Sequence, residues 1–307
     1  MFNKIVLAGG TGYLGQVLCN YYKEKAQEIV ILIRSKHPSE NNIHFEVWDG
    51  RTRGEWTKHL ANCDLIINLC GKNVNCRYTK KNREEIFRSR LEPTALLGKV
   101  IADMKNPPKV WINLASATIY RHAEDHYQDE DSGDIGTGFS IEVCKAWERT
   151  FFEAITSHTK KIALRTGIVM GREDGVIPPL KNLVRIGLGG KQGHGQQYIS
   201  WIHEQDFARI TEWVYHNGNN GDIYNCASPF AIQNKDFMKI LRKAIGIPFG
   251  LSTPQWLLEI GASIIGTETE LILKSRWVYP KCLLEKGYTF LYEKPDHAIH
   301  EIFSCRV

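Results

Sequence analysis

The run Ala8-Gly9-Gly10-Thr11-Gly12-Tyr13-Leu14-Gly15 constrains this chain more than any other segment. It follows the aliphatic stretch Lys4–Ala8 and opens an amphipathic stretch expected to be helical over 13–26. Gly9, Gly12 and Gly15 form G-x-x-G-x-x-G at this strand-to-helix turn. Glycines there give a tight turn and a surface free of side chains. The helix N-terminus adds free N–H groups and a positive dipole end, which suit a pyrophosphate. Gly9, Gly10, Thr11, Gly12, Tyr13, Leu14 and Gly15 are therefore expected to hold a dinucleotide. The alternative is a purely structural turn.

The pattern continues in the same style. Short aliphatic runs at Glu28–Ile33, Ile43–Trp48, Asp64–Leu69, Lys109–Leu114 and Lys161–Arg165 read as strands. Amphipathic stretches near 53–61, 79–105 and 138–158 read as helices between them. Strands apolar on both faces, alternating with helices, imply right-handed βαβ units. The expected fold class is α/β: a Rossmann-type doubly wound parallel sheet. Beyond Arg165 the chain loosens, and 171–200 is rich in glycine, as functional loops often are. A helix near 204–216 and a strand at Ile223–Cys226 follow, then a mainly helical remainder broken by Pro248, Pro254 and Pro280. Two units are expected: 1–227 for the dinucleotide, with 171–200 bordering the substrate pocket, and a small C-terminal domain, 228–307.

Composition excludes several function classes. With 43% hydrophobic and 24% charged residues among 307, the chain can bury a full core and is not a disordered polymer. Lys and Arg outnumber Asp and Glu by 39 to 34, an excess too small and too dispersed to imply nucleic acid. The eight cysteines show no Cys-x2-Cys spacing, which suits reduced thiols in the cytoplasm. The longest aliphatic run, Ile29–Ile33, is far below the ~20 residues of a membrane span. His and Cys nowhere cluster at metal-ligand spacing, so no metal is expected, and no Gly-x-Ser-x-Gly elbow marks a hydrolase.

The second strand selects between dinucleotides. An NAD site usually places Asp or Glu about 20 residues past the glycines, on the ribose 2′-hydroxyl. Here Arg34, Ser35 and Lys36 occupy that place, and a guanidinium with a hydroxyl suits a 2′-phosphate. NADP(H) is the expected cofactor, with a solvated basic loop as the alternative. Asp49 is a candidate for the adenine, and Leu69, Cys70 and Gly71 close a strand at its carboxyl end, where open α/β sheets hold ligands. Of the basic residues between Arg77 and Arg90, most read as a solvated helix face; Arg90 is kept as a phosphate or ribose contact. Gln192, Gln196, Trp201 and His203 are candidates for the substrate pocket, the amides being able to read hydroxyl groups.

Gly-Gly-Thr-Gly-Tyr-Leu-Gly at 9–15, Ser116-Ala117-Thr118-Ile119-Tyr120 and Leu164-Arg165-Thr166-Gly167 resemble the short-chain dehydrogenase/reductase superfamily in its extended, sugar-nucleotide-epimerase-like form. Ile67-Asn68-Leu69-Cys70-Gly71, Ser89-Arg90-Leu91-Glu92-Pro93-Thr94, Gly189-Gly190-Lys191-Gln192-Gly193, Ser200-Trp201-Ile202-His203-Glu204-Gln205-Asp206 and Pro280–Tyr288 resemble one atypical branch, which carries a C-terminal domain of unknown function. The resemblance implies that Leu69, Cys70, Glu85 and Arg90 join Arg34 around NADP, with Ala115, Ser116 and Thr166 on the adjoining strands. It also implies that Ser116 assists catalysis.

One departure limits that inference. Relatives of this superfamily use Tyr-x3-Lys on the helix after the Ser-bearing strand, with Glu four residues beyond the Lys. Anchoring on Glu148 puts Ser140 at the Tyr place and Cys144 at the Lys place; a slip of one residue gives Ile141 and Lys145. The Tyr21/Lys25 pair has the spacing but lies on the first helix, and it reads as coincidence. Tyr120, His122, Lys145 and His203 are the candidate stand-ins; with Ser116, Tyr120 and Lys145 form the catalytic expectation. The expected function is an NADP(H)-binding oxidoreductase or epimerase-like protein acting on a hydroxyl or carbonyl. Its partner would be a small polar substrate, a sugar nucleotide among the candidates, and the chain a monomer or homodimer. The alternative is a cofactor-binding regulator without turnover.

Overall fold

The computed structural model describes residues 1–265 and 268–304. Strands β1 (Phe2–Ala8), β2 (Ala26–Ile33), β3 (Ile43–Val47), β4 (Leu65–Asn68), β5 (Val110–Ser116) and β6 (Lys160–Thr166) come first. Short strands β7 (Ile168–Met170), β8 (Tyr198–Ile199) and β9 (Trp201–His203) precede β10 (Ile223–Cys226) and β11 (Ile232–Gln233). Seven of these form one parallel sheet in the order β10-β6-β5-β4-β1-β2-β3. The chain winds one way from β1 through β3, then crosses back to β4 and winds the other way. The reversal between β1 and β4 leaves a crevice at their carboxyl ends, where such sheets bind ligands.

Alternate side chains of the strands feed two cores. Ile5, Leu7, Ile29 and Ile31 face Leu18 and Tyr22 of α1 (Tyr13–Tyr22). Val6, Ala8, Val30 and Leu32 face Leu97, Val100 and Ile101 of α2 (Lys80–Ala102) and Phe151 of α3 (Phe139–Glu153). This is the doubly wound sheet expected from strands apolar on both faces.

The helix boundaries differ from the sequence expectation for identifiable reasons. The first helix stops at Tyr22, because β2 already begins at Ala26. The stretch near 53–61 is a short 3-10 helix, Glu55–Leu60, led by an extended Gly54. The helix expected over 138–158 ends at Glu153, where Ala154 turns extended. There Lys161 Nζ donates to the carbonyls of Phe151, Phe152 and Ala154, a cation at the negative end of the helix dipole.

Residues 171–200 are not a loop throughout, since Pro178 and Pro179 sit in the first turn of α4 (Ile177–Arg185), where proline is tolerated. Helix α5 (Glu204–Asn217) follows β9. The remainder carries α6 (Asn234–Ile245), α7 (Gln255–Ile265), α8 (Glu270–Leu273), α9 (Lys281–Glu285) and α10 (Pro295–Phe303). A further core joins Met170, Ile177, Val184 and Trp201 to Phe237, Leu241, Ile299 and Ile302, so it draws on chain from both sides of residue 227. Strand β8 pairs antiparallel with β11 across the same point.

Candidate functional site

The glycine turn opens a cleft of about 940 Å³ at the β1/β4 reversal. Gly9, Thr11, Gly12, Tyr13, Leu14, Gly15, Arg34, Asp49, Leu69, Cys70, Gly71 and Glu85 all line it. The glycines have separate reasons to be there. Gly9 holds φ +78°, and a Cβ on it would lie 2.9 Å from Cys70 Sγ. A Cβ on Gly15 would lie 2.1 Å from the Gly10 carbonyl oxygen, so only glycine lets α1 start this close to β1. Gly12 is the N-cap of α1, makes no side-chain cap, and would point a Cβ into open space. The free N–H groups at this helix end therefore face the cleft, an arrangement that favours an anion. Gly10 lies beneath, buried against Ile31 and Leu7.

Basic side chains ring the far end of the cleft. Arg34 stands exposed just beyond β2, and Arg51 and Arg88 stand nearby. Arg51 and Arg88 share the Glu92 carboxylate. Ser35 lies beyond Arg34 and outside the cleft lining. The Asp49 carboxyl accepts from the backbone N–H groups of Arg51 and Thr52 and from the Thr52 hydroxyl, which holds it down to about 2. Glu85 is paired to Lys72. Arg90 sits behind Gly71 rather than in the lining, its guanidinium donating to the carbonyls of Ile86 and Lys72 and lying over the Trp147 ring. Trp48, Arg51, Lys72, Arg88 and Ser89 also line the cleft and were missed from the sequence. Trp48 and Arg51 carried a signal in flanking Asp49, and Ser89 in opening the segment that holds Arg90.

Ala115, Ser116 and Thr166 lie at the carboxyl ends of β5 and β6, outside the lining of this cleft. Ala115 is buried, Ser116 is half-buried with its Oγ accepting from Thr118 N–H, and Thr166 donates to the Leu164 carbonyl. Cys144 and Glu148, of the register anchored on Glu148, are both buried on α3. Glu148 is buried in a two-bond ion pair with Arg165, both contacts at 2.8 Å. Cys144, one turn earlier, packs on Ala117, Ile119 and Tyr120. Burial there pushes its thiol up to about 11, which leaves it protonated at neutral pH. Ser140, one turn earlier again, lies 3.2 Å from Glu270 Oε2 and 3.4 Å from the Tyr78 hydroxyl.

The candidate stand-ins fall elsewhere. Lys145 is exposed on the outer face of α3 and pairs with Glu142, so the one-residue slip leads to solvent. Tyr120 is only 2% exposed. Its hydroxyl donates to Asn225 and accepts from Arg165, and burial raises it to about 12, so it tethers β5 to β6 and β10. The His122 Nδ1 accepts from the Ser275 N–H. His203 is fully buried beside Tyr292 and bonds Glu301, and burial lowers its pKa. Trp201 is likewise buried, its indole N–H spent on the Phe230 carbonyl. Gln192 is locked to Asn234, while Gln196 is exposed. Tyr21 and Lys25 share Glu212 at the amino-terminal edge of the sheet, the end opposite the cleft.

The C-terminal chain brings a further set of groups to these strand ends. Glu270, Lys274 and Arg276 close over Thr118, Ser140 and Cys144. No local motif marks them, because they lie some 130 residues from the helix they cover. Among the described residues, no three His, Cys, Asp or Glu side chains gather as metal ligands, and no helix is long and apolar enough to cross a membrane.

These features define a class: a doubly wound α/β chain whose ligand cleft is built on a glycine turn and a bare helix N-terminus. Residues 5–227 match the NAD dependent epimerase/dehydratase family, and the chain belongs to that family. Residues 253–302 match a domain of unknown function, DUF1731. The epimerase family protein SDR39U1 of Bos taurus is 28% identical over 306 residues, covering 98% of this chain and 100% of the relative. The crystal structure of human SDR39U1 (isoform2) with NADPH is 26% identical and superposes with a TM-score of 0.86, over 98% of this chain and 99% of that one. A Bacillus cereus UDP-glucuronic acid 4-epimerase in complex with UDP-glucuronic acid and NAD shares the fold, with a TM-score of 0.77, 15% identity and 98% of each chain covered.

Proposed function

We propose that this protein binds NADP(H) and acts as an oxidoreductase or epimerase on a hydroxyl or carbonyl group of a small polar substrate. The observation that carries the cofactor is the pairing of an uncapped α1 N-terminus, bare at Gly12, with Arg34 where an acidic residue would hold a free ribose. The human relative's structure with NADPH supports the same choice. When bound, the nicotinamide supplies hydride exchange at carbon. The chain's own part is to seat the pyrophosphate on the α1 N–H groups, to pair Arg34 with the 2′-phosphate, and to present Ser116 at the reacting end. A sugar nucleotide is a fitting substrate, since the Bacillus cereus neighbour of the same fold holds one.

A second reading is a cofactor-responsive regulator without turnover. It is favoured by Ser140 and Cys144 at the Tyr and Lys places, where neither a serine hydroxyl nor a protonated thiol serves as a base near pH 7.

Thermal unfolding with NADPH, NADP, NADH and no ligand tests the cofactor reading. At 100 times its dissociation constant a ligand adds about 2.7 kcal/mol. NADPH should stabilise clearly more than NADH. A larger NADH effect reverses the assignment, and no shift with any of them removes it. Nicotinamide absorbance and product analysis over carbonyl compounds and sugar nucleotides then separate enzyme from regulator.

A further inference from the structure

The position that lacks Tyr-x3-Lys is covered by a lysine from a distant part of the chain. The segment after α8 runs back over the loop that follows Ser116. Lys274 Nζ donates to the Thr118 carbonyl at 3.0 Å, and Arg276 Nε donates to the Thr118 hydroxyl at 3.2 Å. Backbone bonds fix this segment from both sides. Ser275 N–H donates to His122 and its hydroxyl to the Ala123 carbonyl, while Arg276 N–H donates to the Tyr198 carbonyl. The amine is thus held two residues beyond Ser116, on the side that Cys144 faces, and is itself half-buried rather than sealed.

We propose that Lys274 is the proton-transferring amine of this site, filling the role for which α3 carries no residue. The proposal rests on the reading of the crevice as an NADP(H) site. In the reducing direction, Lys274 Nζ gives a proton to the substrate's carbonyl oxygen as hydride from NADPH adds to the carbonyl carbon. The carbonyl π pair becomes the new O–H bond, and the neutral amine then regains a proton from water. The reverse direction needs the amine neutral at the start.

The surroundings suit such a role. Desolvation and the neighbouring Arg276 charge bring the Lys274 amine down to about 8, against the opposing pull of Glu270. Arg90 and Tyr78 face the same cluster from α2 and the loop before it. An amine near 8 holds both protonation states around neutral pH, which is what an acid/base requires. An ordinary lysine near 10.4 does not.

Competitive trace labelling with acetic anhydride across pH, read by mass spectrometry on the full chain, tests this directly. Lys274 should label with a midpoint near 8, with about a hundredfold more neutral amine at pH 8 than an ordinary lysine. Arg276→Gln should raise that midpoint and Glu270→Gln should lower it. NADPH should slow the labelling of Lys274 and of no lysine remote from the crevice. Thermal unfolding confirms that each variant is folded, with Lys274→Arg as the charge-preserving control. A midpoint above 10, or labelling indifferent to NADPH despite a clear thermal shift, overturns the proposal. Absence of any thermal shift with NADPH overturns the cofactor reading instead, and the proton role with it, whatever the midpoint.

Discussion

The two ends of the crevice are built in different ways. The glycine end is centred on one short turn between β1 and α1, with Arg34 just beyond β2 and short stretches after β3 and β4 completing the lining. The opposite end is assembled from Tyr78, Ser116, Thr118, Ser140 and Cys144, closed over by Glu270, Lys274 and Arg276. The first uses backbone N–H groups and local geometry. The second depends on side chains that only long-range packing brings together. The contrast teaches that a cofactor cradle can keep a recognisable sequence while the neighbouring region draws its side chains from distant parts of the chain.

The most damaging way to break the second end is at its support. Glu148→Gln leaves the Arg165 guanidinium buried without its partner charge, at a cost of about 3–5 kcal/mol in urea unfolding. The glycine end is broken more locally. Gly15→Val forces a side chain onto the Gly10 carbonyl, costing about 1–3 kcal/mol and abolishing the NADPH thermal shift. Arg34→Gln should leave folding alone and weaken NADPH about 10- to 100-fold in titration calorimetry, with NADH little changed, since a hydrogen bond to a charged group is worth about 1.5–3 kcal/mol.

The pH dependence separates a structural histidine from a catalytic one. Burial lowers the His203 pKa from 6.5, so just below that pH the folded protein binds fewer protons than the unfolded chain. Stability should therefore fall as pH drops below 6.5, and His203→Gln should flatten that part of the unfolding profile. The smallest effect is expected at Lys145. Lys145→Ala removes one exposed pair and should change stability by less than about 0.5 kcal/mol, leaving the NADPH shift intact. A large effect there would revive the one-residue slip on α3.

Much of the first end was legible in advance because its physics is local. The positive φ of Gly9 and the close start of α1 on the Gly10 carbonyl at Gly15 each demand glycine at a fixed spacing. The sheet was legible for a related reason: strands buried on both faces carry unbroken aliphatic runs, as β1 does over Ile5–Ala8, β2 over Ile29–Ile33 and β4 over Leu65–Ile67. Trp201 and His203 misled, since their neighbourhood in sequence says nothing of being sealed under Tyr292 and Glu301.

By itself, then, the sequence determined the parallel sheet, the glycine cradle and the basic residue at the end of β2, because each follows from contacts within a few residues or from simple periodicity. Tertiary structure alone decided that Glu148 pairs with Arg165, that Tyr120 is a tether, and that Lys274 arrives beside Thr118. Those outcomes depend on which segments, more than a hundred residues apart in the case of Lys274, are packed into one low-dielectric space. No local pattern encodes that proximity.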